Sequence, residues 1–146
     1  MDLILWRHAE AEAGSPDSAR KLTEHGREQA QRVAAWLKPR LPGNCEVLVS
    51  PAARAQQTAQ ALGVPFLTSP AVGTDAAAAV VVSTVDGPAR PEATLIVGHQ
   101  PTLGRVAALL LSGAEADWDI GKGALWWIAR ANGRIALRAV VDPELL

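Results

Sequence analysis

The chain has one cysteine, Cys45, which excludes an internal disulfide framework and a cysteine-built zinc site. A lone Cys45 reads as a small buried filler near a strand. Long apolar runs are missing too: no segment approaches the roughly 20 residues needed to cross a bilayer. The first apolar run, Leu3 to Trp6, is too short for a signal-peptide core and is followed at once by charge. The expected location is therefore the cytoplasm, with no membrane partner. Nor is there an excess of charge of either sign. The 14 basic and 15 acidic residues leave a net charge of −1, so no nucleic-acid footprint is expected. No Gly-rich phosphate loop follows the first apolar run, which disfavours a nucleotide-binding domain. The absence of a Gly-x-Ser-x-Gly elbow disfavours a serine hydrolase.

What is present suits one domain over residues 1–146, expected to be a monomer. Nearly half the 146 residues, 49%, are apolar, enough for a continuous core. Leu3 to Trp6 reads as a buried strand, followed by a polar loop from Glu10 to Lys21. Thr23 is a plausible N-cap. Ala30, Val33, Ala34 and Leu37 then mark one apolar helix face, which Pro39 ends. Glu46 to Val49 is a second strand. Ser50 is expected to cap a helix that starts at Pro51, carries Ala55, Thr58, Ala59 and Leu62, and stops at Gly63. Val64 to Leu67 reads as an edge strand.

Asp75 to Val82 supports either a helix start or a strand. Thr94 to Val97 is a buried strand closed by Gly98 and His99. Pro101 opens a helix with Leu103, Val106, Ala107 and Leu110 at helical spacing. Ala124 to Ala129 and Ile135 to Val141, around Asn132-Gly133, read as a hairpin. The fold class is α/β: a single three-layer domain with a mostly parallel central sheet, helices on both faces and a C-terminal antiparallel hairpin.

In such sheets ligands bind outside the carboxyl ends of the strands. His8 and His99 each follow a strand, Arg7 adjoins the first, and Arg54 lies in the first turn after the second strand. Guanidinium forks match phosphate oxygens, and the helix starts after Ser50 and Pro101 add backbone N–H groups. A neutral imidazole attacks phosphorus, and neighbouring arginines disfavour the imidazolium of His8. His99 could donate a hydrogen bond to the transferred group. A carboxylic acid would protonate the leaving oxygen or nitrogen.

Arg7-His8-Ala9-Glu10-Ala11 resembles the Arg-His-Gly/Ala signature of the histidine phosphatase superfamily, which also contains the phosphoglycerate mutases. Leu22-Thr23 with Gly26 and Gln29-Ala30 resembles the helix that follows it. Ser50-Pro51-Ala52-Ala53-Arg54-Ala55-Gln56-Gln57-Thr58-Ala59 resembles the second signature, and Val97-Gly98-His99-Gln100-Pro101 the third. The order and spacing, with Lys122-Gly123-Ala124, are similar to the SixA-type phosphohistidine phosphatases.

The resemblance implies a phosphoglycerate mutase-like fold without a large cap insertion. It implies His8 as the phosphorylated nucleophile and Arg7, Arg54 and His99 as phosphate ligands, with no metal or cofactor. Asp75, in Gly73-Thr74-Asp75, is the favoured proton donor, with Glu10 and Asp17 as weaker candidates. Gly14 stands where larger relatives have an Asn that helps bind phosphate, and Gln100 replaces the Asp of the acid phosphatases and phytases. Only about thirty residues separate Leu62 from Thr94, too few for the helical cover of the mutases. An open site favours a phosphorylated side chain on a protein surface.

The expected function is therefore removal of phosphate from protein phosphohistidine. The alternatives are a phosphatase of small phosphorylated metabolites and a non-catalytic phosphoprotein-binding module. His25 is expected as an exposed helix residue, Lys122 near the rim, and Trp126-Trp127 as core and sheet surface. Asp75 could equally be a plain helix N-cap.

Overall fold

The computed structural model describes residues 1–88 and 91–146. Its centre is a six-stranded sheet of β1 (Asp2–Arg7), β2 (Cys45–Val49), β3 (Leu67–Thr68), β4 (Ala93–Gly98), β5 (Leu125–Ala131) and β6 (Arg134–Val141). The spatial order is β3-β2-β4-β1-β5-β6. The first four strands pair in parallel, while β5 runs antiparallel to β1 and β6 antiparallel to β5. Among the described residues, four α-helices flank it: α1 (Glu24–Leu37), α2 (Ala53–Gln60), α3 (Ala78–Val85) and α4 (Thr102–Ser112).

Alternation along the strands divides the core into two layers. Ile4, Trp6, Val47, Val49, Leu95 and Val97 turn to the face covered by α1 and α2, meeting Val33, Leu37, Ala55 and Ala59. Leu3, Leu5, Leu48 and Ile96 turn to the other, meeting Val81 of α3 and Leu103, Val106 and Ala107 of α4. The α/β, three-layer expectation holds. Trp127 is buried in the first layer and Trp126 packs half-buried on the second, since adjacent strand residues face opposite sides. Cys45 is half-buried against the first layer, and burial raises its thiol pKa.

The start of α1 and the turn of the hairpin follow local chemistry. The Thr23 hydroxyl accepts from Gly26 N–H at 2.9 Å and caps α1. Asn132 and Gly133 take positive φ of 53° and 70°, the conformation of a tight hairpin turn between β5 and β6.

Three expectations are corrected. Ser50 does not cap α2, which starts at Ala53 after Ala52, and Pro51 lies before it. The Ser50 hydroxyl is engaged instead by His99 and by Ala52 N–H. The edge strand is only Leu67–Thr68, because Val64 and Phe66 pack against the first layer without joining the ladder. The ambiguous run forms a helix starting at Ala78. Its cap position is Ala77, so Asp75 is not its N-cap.

Candidate active site

Chain order and sheet order together create the site. The chain leaves β1 for α1 on one face, whereas it leaves β4 for α4 on the other. Since β1 and β4 are neighbours, a crevice opens between their carboxyl ends, where α/β sheets bind ligands. Register pairs Arg7 with Gly98, so the next residues, His8 and His99, stand side by side with ring centroids 5.1 Å apart. On the far side of β4, Val49 pairs with Val97, which brings Ser50 to the same rim.

The backbone around His8 is held at every step. His8 N–H donates to Gly98 O at 3.0 Å, and Gly123 N–H donates to His8 O at 3.1 Å. Ala9 N–H donates to the Thr58 hydroxyl at 3.0 Å, and Glu10 N–H to Gln29 Oε1 at 2.9 Å. Gly26 lets the first turn of α1 close on this segment, because a Cβ there would lie 2.0 Å from Glu10 O. Both Thr58 and Gln29 are buried, so the segment carrying His8 is braced from two helices.

These contacts decide the state of the ring. His8 Nδ1 lies 2.8 Å from Ala9 O, and a carbonyl can only accept, so Nδ1 carries the proton. Arg54 Nε donates to His8 Nε2 at 3.3 Å, which requires a bare lone pair there. Burial lowers the His8 pKa to about 3, with His99, Arg54 and Arg7 adding to the shift and the Ala9 carbonyl opposing it. The sequence reading had the direction right. Desolvation, rather than the arginines, is the principal cause.

His99 is neutral for the same main reason, its pKa lowered to about 4 by burial and then by Arg54. Its Nε2 lies 2.7 Å from the Ser50 hydroxyl, which also accepts from Ala52 N–H at 3.2 Å. Arg7 donates to Ile120 O at 2.9 Å, and burial works against its charge while Asp119 supports it. Arg54 sits in the first turn of α2 as expected, with its outer nitrogens on Asp17. NH1 meets the Asp17 carbonyl at 2.8 Å, and NH2 meets its carboxylate at 3.1 Å. A phosphoryl group entering this fork therefore competes with Asp17.

Arg7, His8, Arg54 and His99 line one cavity of about 230 Å3. Arg20, Lys122, Ala11, Thr74 and Gln100 complete its described wall. None of the three candidate acids lines this cavity, and only Asp17 reaches its edge, through Arg54. The Glu10 carboxylate accepts from the Thr23 hydroxyl at 2.8 Å. Asp17 bridges Arg20 and Arg54, first Arg20 and then Arg54 holding it below the usual carboxylate range. Asp75 lines an adjoining cavity with Ser50, Pro51 and Thr74, of which Thr74 is shared with the His8 cavity. His25 lies outside, half-exposed and 2.8 Å from Glu144. Gln100 is tied to Trp118 O and Gly104 N–H.

Sequence reasoning did not find the roles of Arg20, Ser50, Thr58 and Gln29. Thr58 left a trace, four residues after Arg54 and hence on the same helix face. Arg20 left none, since the loop that carries it has no periodicity.

Residues 3–72 match the model of the histidine phosphatase superfamily, branch 1. No curated protein matches the chain in sequence. Among solved structures, the protein histidine phosphatase SixA complexed with tungstate superposes with a TM-score of 0.84 at 24% identity, covering 99% of both chains. A protein designated phosphohistidine phosphatase SixA from Nakamurella multipartitia gives 0.74 at 26% identity, over 97% of this chain and 95% of that one. A phosphoserine phosphatase from Entamoeba histolytica in complex with phosphoserine gives 0.75 at 16% identity, over 99% and 98%. The matched segment carries Arg7, His8 and Arg54, the sheet places His99 beside them, and over residues 3–72 the chain is similar to the histidine phosphatase superfamily.

Proposed function

We propose that the protein is a phosphatase that takes the phosphoryl group of its substrate onto His8 Nε2 and passes it to water, and that this substrate is phosphohistidine on a protein. The observation that carries the reading is the state of His8. Its proton is held on Nδ1 by Ala9 O, and its Nε2 lone pair faces the cation-lined cavity. Arg7, Arg54 and His99 bind the phosphoryl oxygens and stabilise the charge spread over them during in-line transfer.

Phosphohistidine suits this site chemically. A phosphorylated imidazole protonated on its second nitrogen departs as neutral imidazole and takes up no proton. Transfer onto His8 then exchanges one P–N bond for another, and no wall residue need act as an acid. Access points the same way. Among the described residues, the connection from β3 to β4 contains only a short 3-10 turn and α3, which packs on α4 rather than over the crevice. The SixA neighbours in fold agree with this substrate class.

The test is incubation with a phosphohistidine-bearing carrier protein, p-nitrophenyl phosphate and phosphoglycerate, followed by a search for acid-labile phosphate on the chain. The expected result is turnover of the carrier and labelling that His8→Ala abolishes. Labelling that survives this substitution overturns the nucleophile assignment. Fast turnover of phosphoglycerate with none of the carrier overturns the substrate.

A second reading, a phosphatase of small phosphomonoesters, is favoured by one observation: the cavity holding Asp75 adjoins the His8 cavity at Thr74. An alkoxide needs a proton on departure, and Asp75 would then supply it. Under that reading Asp75→Asn abolishes ester turnover. Under the first it leaves the carrier reaction standing.

A further inference from the structure

The placement of charge around His8 points to a second class of substrate. The cavity wall carries Arg7, Arg20, Arg54 and Lys122, four cations, beside the neutral nucleophile. The three candidate carboxylates are turned to other tasks. Glu10 accepts from Thr23, Asp17 bridges two arginines, and Asp75 lines the adjoining cavity. Among the described residues, none that lines the wall is a carboxylic acid, and Asp17, the carboxylate at its edge, is held below the usual carboxylate range by Arg20 and Arg54 and is a poor proton donor.

Phosphoryl transfer passes through a loose transition state in which the leaving group already carries much of its charge. The need for a proton therefore grows with the basicity of that group. A departing carboxylate has a pKa of about 4 and an imidazole about 6.5, whereas an alkoxide approaches the value of about 15.7 for water. A wall of cations without an acid serves the least basic leaving group best.

We propose that the same pocket also hydrolyses acyl phosphates, the mixed anhydrides of a carboxylic acid and phosphoric acid, including phosphorylated carboxylate side chains. The proposal rests on His8 as the nucleophile. In the first step the Nε2 lone pair forms the N–P bond. The P–O bond to the acyl oxygen breaks, and the carboxylate leaves with the electron pair and no proton. In the second step water attacks phosphorus, the N–P bond returns its pair to Nε2, and dihydrogen phosphate leaves with both protons of the water. His8 returns to its Nδ1–H form.

The full chain is assayed at pH 7 with acetyl phosphate, phenyl phosphate and glycerol phosphate. Spontaneous hydrolysis is measured in buffer and with His8→Ala. The expected kcat/KM falls in that order. Acetyl phosphate exceeds glycerol phosphate by about 100-fold or more, the lower end of what a positioned acid contributes to a basic leaving group. Acetyl phosphate should also leave acid-labile phosphate on the chain.

Turnover of glycerol phosphate as fast as that of acetyl phosphate overturns the proposal, because a proton donor then reaches the pocket. So does acetyl phosphate hydrolysis no faster than background while a phosphohistidine carrier is dephosphorylated, and in that case the function proposed above stands. If neither substrate labels His8, the nucleophile assignment fails and the proposal fails with it.

Discussion

Arg54 joins three groups. Its Nε holds the lone pair of His8, its outer nitrogens hold Asp17, and its own carbonyl accepts from the Thr58 hydroxyl. A guanidinium can serve His8, the proposed nucleophile, through one edge and a phosphate through the other, which a lysine point charge cannot. Arg54→Lys should therefore lower kcat about 100-fold, as loss of one preorganised donor does elsewhere, without preventing folding. Steady-state turnover of the phosphohistidine carrier checks this, and a variant within a few-fold of the parent would contradict it. Asp17 competes for the same fork, so Asp17→Asn should tighten the binding of phosphate or tungstate. A competition assay against turnover reads that shift.

At the scale of elements, one hydroxyl links α2 to the segment that carries His8. Thr58 donates to Arg54 O at 2.8 Å and accepts from Ala9 N–H at 3.0 Å, and both directions are forced by the partners. The bond to the carbonyl four residues back normally offers a helix little; here it orients the free lone pairs towards Ala9. Thr58→Val keeps the shape, removes the hydroxyl and leaves a buried N–H unsatisfied. It should cost about 1–3 kcal/mol, read from the urea midpoint. Thr58→Ser should restore most of that loss. Because α2 carries Arg54 on the same face, the Val variant should also lose turnover at temperatures where it remains folded.

For the whole molecule, the neutral state of two buried histidines has a consequence for stability. His8 and His99 have folded pKa values of about 3 and about 4, against about 6.5 in an unfolded chain. Below 6.5 the unfolded chain binds protons that the folded one refuses. Stability is thus fully present above that pH and falls as the pH drops towards 4, by an amount on the order of several kcal/mol. Thermal unfolding between pH 7.5 and 4.5 should show Tm falling with pH. His99→Gln should flatten the curve, since one of the two groups is then gone. An unchanged slope in that variant would contradict the assignment.

Much of this molecule was legible before folding was considered. Strand and helix positions along β1, α1, β4 and α4 follow from apolar spacing and from Thr23, because these signals are local in the chain. The motif residues Arg7, His8, Arg54 and His99 stood out by type and by their places at element ends, and all four meet in one cavity. What the chain could not reveal is non-local. Ser50 fits a helix cap by local rules, yet its hydroxyl turns to His99, 49 residues away. Asp75 fits an acid or a cap, yet it lines a neighbouring cavity and caps nothing.

For His8, opened by sequence as a nucleophile kept neutral by arginines, only the packed structure identifies burial as the main cause and Ala9 O as the anchor of its proton. Sequence determined which groups exist and on which elements they stand. Tertiary structure decided which of them touch, because register, burial and hydrogen-bond direction arise only when distant strands close on one another.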